Sequence, residues 1–328
     1  MLLLFGTLPA AALFTTRTGA RAEKLVTIRE IASKLNLTIT QPPKKLVLQN
    51  AQTTVELSTE GREARINGQL VWLHAPPCRS WGRWCLTETD AQKVLLPLLA
   101  PASYLKGYGT AVVVLDPGHG GSDPGATSPR GLVEPRIALD LAKRVRAKLV
   151  AEGFRVFLTR DVDRFIELEQ RPRLAAARQA DLFISIHLNA APNRQPSGIE
   201  TYVLTSSGYP STSGTNGDNN PKNNLNQPAN ARDMQNNIFG YYLQQQLCAA
   251  TKAEDRGLRH ARFVVIKEAP CAAALVECGF LTNPNDERKL MTDAHRDALA
   301  TGIAKGIIAY GHAVRRANPP APPKNKDT

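Results

Sequence analysis

The chain has 328 residues, 42% of them hydrophobic and 6% aromatic, and carries 41 Lys and Arg against 29 Asp and Glu, a formal net charge of +12. That length holds one large domain or two, and the apolar share excludes a chain too polar to fold around a core. The positive balance favours an anionic partner, whether nucleic acid, a membrane surface or a bacterial wall polymer, and does not choose among them.

In chain order, "MLLLFGTLPAAALFTT" is apolar and too short to remain in a bilayer, and it leads to Ala20-Arg21-Ala22, an A-x-A cleavage pattern. Residues 1–22 are therefore expected to be a signal peptide, although no Lys or Arg precedes the apolar run. No later stretch is long enough for a transmembrane segment. Residues 23–99 read as a small α+β module. "LVTIREIASKLNL" has helical spacing, and "KKLVLQN", "TTVELST" and "REARINGQLVWL" read as strands, the last a hairpin turning at Asn67-Gly68. "TETDAQKVLLPLL" closes the module as a helix, and its single histidine, His74, reads as structural.

The five cysteines form no CxxC pair, which excludes a zinc ribbon. In an exported chain Cys78 and Cys85 could close a short disulfide loop. "APASYLKGYGT" reads as a linker. From 111 to 314 strands (111–115, 154–159, 181–187, 199–204, 262–266, 273–277) alternate with helices (134–152, 166–179, 230–251, 284–291, 293–313). That alternation predicts an α/β domain, a mostly parallel twisted sheet with helices on both faces. The polar stretch 205–230, rich in Asn, Ser, Gly and Pro, reads as a mobile insertion, and 315–328 as a disordered, basic, Pro-rich tail.

The chemistry concentrates at strand ends. "VVVLDPGHGGSDPG" runs from an apolar strand into a glycine-rich loop, but its glycines match neither a dinucleotide fingerprint nor a phosphate-cradling P-loop. Ligands in open α/β sheets bind beyond the carboxyl ends of strands. His119 lies there, and His187 ends a second apolar strand, "LFISIHLNA". Glu134 opens the next helix beside Pro135. Alone, Glu134 reads as a charge that favours a helix N-terminus. With the two histidines it completes the three-ligand set of a catalytic zinc site, whose fourth position is open to water. Glu277 follows "CAAALV" and is flanked by Cys278. It reads either as a partly desolvated general base or as a structural carboxylate paired with Arg259. Two His, one Glu and a base together point to amide hydrolysis.

These motifs, with "GLVEPRIALDLAKRV", "VFLTRDVDRFIELEQR", "GIETYVL", "DRGLRHARFVVIK" and "ALVECGFLTNPNDERKL", resemble the zinc-dependent N-acetylmuramoyl-L-alanine amidases of bacterial walls, of the Amidase_3 type, over nearly all of 111–314. The resemblance implies that fold, one Zn2+ per chain held by His119, Glu134 and His187, Glu277 as catalytic base, and Asn189 near the substrate. It implies peptidoglycan as the substrate partner, no nucleic acid, and work in the periplasm or cell wall. In some relatives an inserted helical segment covers the site until an activator protein releases it; the insertion here is polar and does not read as a helix. Pro135 and Cys278 depart from the family's usual residues without replacing a key group. Residues 23–99 resemble the N-terminal stalk domain first named in copper amine oxidases, through "VTIREIASKLNL" and "RINGQLVWLHAPP". The residues alone leave two other readings open: a zinc peptidase or deacetylase acting on another wall amide, and a non-catalytic peptidoglycan-binding protein.

Overall fold

The computed structural model describes residues 23–212 and 225–319. The expected signal peptide, residues 213–224 of the insertion and 320–328 of the tail lie outside the described residues.

The module is built from local rules. Strand β1 (Leu25–Thr27) leads into helix α1 (Ile28–Leu35). There the Thr27 hydroxyl accepts from the Glu30 N–H, and the Glu30 carboxylate accepts from the Thr27 N–H, a reciprocal cap of about 1 kcal/mol. Strands β2 (Thr38–Thr40), β3 (Lys45–Gln49), β4 (Thr54–Ser58), β5 (Glu63–Ile66) and β6 (Gln69–Trp72) form antiparallel hairpins. Their alternation buries Leu46, Leu48, Val55, Leu57, Ala64 and Ile66. Asn67 and Gly68 both have positive φ at the β5–β6 turn, as Asn-Gly hairpins require. Strands β7 (Cys78–Ser80) and β8 (Arg83–Thr87) complete a separate small sheet with β1. In it Cys78 lies opposite Cys85, and the two are unbridged. A helical segment from Asp90 ends in α2 (Leu96–Leu99).

The rest alternates as expected: β9 (Val112–Pro117), α3 (Glu134–Ala151), β10 (Arg155–Leu158), α4 (Gln170–Ala177), β11 (Leu182–Asn189), β12 (Ile199–Leu204), α5 (Asp233–Thr251), β13 (Asp255–Ala261), α6 (Val264–Lys267), β14 (Ala272–Phe280), α7 (Pro284–Leu290) and α8 (Asp293–Ala317). One correction concerns 262–266. The strand there lies earlier, as β13, and "VVIK" is the short helix α6. A short apolar run does not distinguish a strand from a buried helix; Val265 and Ile266 are buried against the sheet as helical residues. Helix α8 also continues through Arg315 and Arg316, residues expected in the tail.

Among the described residues the large sheet has the order β10-β9-β11-β14-β12-β13-β6-β5-β4-β3-β2. β10, β9, β11 and β14 are parallel, β12 is antiparallel to β14, and β13 and β6 run parallel to β12. The module's sheet thus continues the sheet of the second domain. The seam is polar: Asp255 accepts from Gln69 Nε2, the Leu70 N–H and Gln244 Nε2, and Trp72 Nε1 donates to the Arg256 carbonyl. Helices α3, α5 and α8 cover one face over Val113, Leu115, Ile184, Ile186 and Val276. The other face, with Val114, Phe183, Tyr202, Ala273 and Leu275, takes among the described residues the short α4 and α6.

The ends of the polar insertion are packed rather than loose. Ser206 is buried, donates its N–H to His74 Nε2 and its hydroxyl to Asp233. His74 is structural as expected, its Nδ1 on Asp90 and its ring against His260.

Candidate active site

The glycine-rich loop after β9 lets backbone approach side chains closely. A Cβ on Gly118 would lie 2.5 Å from His187 Nε2 and 2.6 Å from Nδ1, and one on Gly125 would lie 2.9 Å from Glu134 Oε2. His119 itself has φ +56°, a conformation that non-glycine residues rarely hold without support. That support comes from two fully buried arginines. Arg160 donates to the carbonyls of Pro117 (3.0 Å), Gly118 (2.7 Å) and Pro135 (2.9 Å), and Arg171 to those of Pro117 (3.0 Å) and His119 (3.1 Å). Arg171 also pairs with buried Asp116 at 3.0 Å, whose other donors are Thr159 and Ser185. Desolvating these charges is offset only because each donor and acceptor finds a partner.

Glu134 is the first residue of α3, is buried, and points back at the loop. Its Oε1 lies 3.0 Å from His187 Nδ1 and 3.2 Å from His119 Nε2, and its Oε2 accepts from the Ala126 N–H at 2.9 Å. One ligand atom from each of His119, Glu134 and His187 lies within 4.8 Å of the others. Two imidazoles and a carboxylate are the donor types of a three-ligand zinc site. His119 uses its remaining nitrogen, Nδ1, on Asp123 Oδ2 at 2.8 Å, the carboxylate–histidine arrangement that fixes ring orientation around a metal. Burial pushes the Glu134 carboxyl up, but hydrogen bonds and charge from His119 and His187 outweigh it and hold the group ionised far below the usual range.

Glu277 sits opposite His187 on β11 and opposite Glu200 on β12. Its Oε2 is buried without a hydrogen-bond partner. Burial, and then the charges of Glu134 and Glu200, push its carboxyl well above the usual range. The pairing with Arg259 considered for Glu277 is not made: Arg259 pairs with Glu200, Nε to Oε2 at 3.0 Å. Asn189 lies beside the site, but its amide donates to Glu200 Oε1 at 2.8 Å.

Sequence reasoning missed Glu200, Asp123, Arg160 and Arg171. Glu200 had a faint signal: it is the one charged residue in "IETYVL", a strand buried throughout.

The Amidase_3 family model, described as N-acetylmuramoyl-L-alanine amidase, matches residues 113–309. The chain is 38% identical over 198 residues to N-acetylmuramoyl-L-alanine amidase LytC of Bacillus subtilis, covering 60% of this chain and 35% of LytC. It is 35% identical over 226 residues to AmiA of Escherichia coli, covering 63% and 78%. The match thus spans about a third of the length of LytC and about three quarters of AmiA. Among solved structures, the catalytic domain of CwlV from Bacillus (Paenibacillus) polymyxa superposes with TM-score 0.51 at 32% identity over 61% of this chain and 97% of that domain. AmiC2 of Nostoc punctiforme gives 0.51 and 32% over 62% and 98%. The module at 23–99 lies outside the matched family range. On this sequence match, and on a fold shared with solved amidases, the chain belongs to the Amidase_3 family of N-acetylmuramoyl-L-alanine amidases.

Proposed function

We propose that the chain is a zinc-dependent N-acetylmuramoyl-L-alanine amidase, hydrolysing the amide between the lactyl group of N-acetylmuramic acid and the L-alanine of the stem peptide in peptidoglycan. The observation that carries this reading is the placement of Glu277, a half-buried carboxylate whose buried Oε2 has no hydrogen-bond partner, one strand from a cluster of two histidines and a glutamate. His119, Glu134 and His187 would hold the ion. When bound, zinc supplies Lewis acidity that polarises the scissile carbonyl and acidifies a water molecule.

The chain's own residues do the rest. Asp123 keeps His119 in the tautomer whose Nε2 is free to ligate. The buried arginines hold the loop so that the histidines stay close, their rings 4.9 Å apart. Glu277 takes the proton of the attacking water and gives it to the leaving nitrogen. Its raised affinity for a proton suits both halves of that transfer. The net charge of +12 suits a wall polymer bearing peptide carboxylates. We place the protein outside the cytoplasm, in the periplasm or wall, where that polymer lies. No helix among the described residues is long and apolar enough to cross a membrane.

The test pairs zinc content with mass spectrometry of digested peptidoglycan, for the wild type and Glu277→Gln. One zinc per chain and peptides beginning with L-alanine, with turnover reduced at least ~100-fold in a zinc-loaded variant, are expected. Zinc with a shortened peptide or a lost acetyl group would move the activity to another amide. No zinc and no product would leave a wall-binding protein.

A further inference from the structure

Resting on the amidase reading, we propose that Arg256 is a specificity-determining residue that binds a free carboxylate carried about two residues along the leaving peptide. The direction follows from the base. Glu277 hands its proton to the leaving nitrogen, so the leaving peptide lies on the β14 side of the His119–Glu134–His187 cluster and runs away from β9. Next across the sheet come Glu200 on β12 and then Arg256 and Arg259 on β13.

This cluster is built and carries a net positive charge. The buried Glu200 carboxylate accepts from Asn189 Nδ2 (2.8 Å), the Tyr202 hydroxyl (2.9 Å), Arg256 Nε (3.1 Å) and Arg259 Nε (3.0 Å). One carboxylate thus faces two guanidinium groups. Arg259 is committed inside the fold: its guanidinium lies 4.6 Å from the Trp72 ring centre and donates to the Thr212 carbonyl. Arg256 is anchored but not used up. Its Nε is on Glu200, its guanidinium lies 4.8 Å over the Phe280 ring, and its carbonyl accepts from Trp72 Nε1. Its two terminal nitrogens have no hydrogen-bond partner among the described residues, and its side chain is 24% exposed. A guanidinium held by its Nε edge with both terminal nitrogens presented is an end-on fork for a carboxylate.

The reach fits. Two strand spacings separate β14 from β13, roughly 10 Å, and two extended residues span about 7 Å. The side chain of Arg256, which leans toward Glu200, closes the remainder.

Two synthetic muramoyl peptides that differ only in whether this carboxylate is a free acid or a primary amide test the proposal on the zinc-loaded enzyme. The wild type is expected to favour the acid about 10- to 100-fold in kcat/KM, with the ratio falling toward one in Arg256→Gln and to an intermediate value in Arg256→Lys, which keeps the charge and loses the fork. A merely structural arginine would change rates on both substrates and leave their ratio intact. A wild-type ratio near one, or a ratio unchanged in Arg256→Gln, overturns the proposal while the amidase stands. If Arg256→Gln does not fold, an unchanged ratio in Arg256→Lys overturns it. If the wild type cleaves neither substrate, the amidase reading falls and this inference falls with it.

Discussion

Gly118→Ala isolates the role of the loop in shaping the metal cluster. Gly118 does not occupy a positive-φ conformation, so alanine brings no backbone strain of its own. The whole effect comes from the new methyl, which would sit 2.5 to 2.6 Å from the His187 ring nitrogens. Ordinary carbon contacts begin near 3.5 Å, so the ring must retreat by about 1 Å. Metal sites tolerate ligand displacements of only about 0.2 Å. Overpacking of this kind costs about 1–3 kcal/mol of stability, which a native fold survives. Disturbing even the groups that orient a ligand weakens metal binding 10- to 100-fold, and moving the ligand itself should exceed the upper figure. We therefore expect zinc affinity, read by competition against a chromogenic chelator, to fall at least ~100-fold, equivalent to about 2.7 kcal/mol. Far-ultraviolet circular dichroism at the same temperature should be unchanged. A folded variant that binds zinc within threefold of the wild type would refute the reasoning, because His187 would then not be where the metal is held.

His260 gives a pH dependence. Burial first, and then the charges of His74 and Arg62, push its imidazole well below the usual range, so it is neutral when folded. Below about pH 6.5 the unfolded chain binds a proton that the folded chain does not. Its contribution is therefore complete above pH 6.5 and is lost by up to about 1.4 kcal/mol for each unit the pH falls beneath it. Urea unfolding between pH 7.5 and 5.5 should show that extra slope in the wild type and not in His260→Gln; parallel curves would remove His260 as its source. Asp255→Ala tests the seam between module and catalytic sheet. It orphans the Leu70 and Gly257 N–H groups and removes one acceptor from each of the amides of Gln69 and Gln244, and each buried orphan costs about 1–3 kcal/mol before relaxation and water entry. A loss of about 3 kcal/mol or more by urea denaturation is expected, and a loss under 1 kcal/mol would mean that the seam does not depend on this carboxylate.

The four residues proposed for the site could be singled out in the sequence because each stands at a point where local pattern and chemistry coincide. His119, His187 and Glu277 each interrupt or end an apolar strand, and Glu134 opens a helix whose apolar periodicity is plain. Glu200 was hidden because its significance depends on sheet order. β12 lies between β14 and β13 only after long crossovers, and no local pattern announces that Glu200 will face Glu277 on one side and two arginines on the other. Arg160 and Arg171 were hidden for a related reason. Most of the partners that hold the loop are backbone carbonyls of Pro117, Gly118 and His119, more than 40 residues earlier, and carbonyls have no sequence signature. β13 was misplaced because "DRGLRHA" is polar by composition, yet in the sheet Gln69 and Gln244 satisfy Asp255, and Glu200 anchors Arg256 by its Nε.

The strands of residues 23–99 could be read from alternation, but their docking could not, because it joins residues far apart in sequence: a hydrophobic core shared with α5 and single polar groups at strand ends. Their position has a chemical consequence. A module on a flexible tether would leave β13 as an open edge, with its backbone groups and the Arg256–Arg259 pair facing water. With β6 beside β13, Trp72 fixes the Arg256 carbonyl and stacks on Arg259, Arg259 braces Glu200, and Glu200 stands next to Glu277. The module therefore reaches Glu200, the strand neighbour of Glu277, through two successive side-chain contacts, and the order around the proposed base rests on the sheet being continuous across the seam.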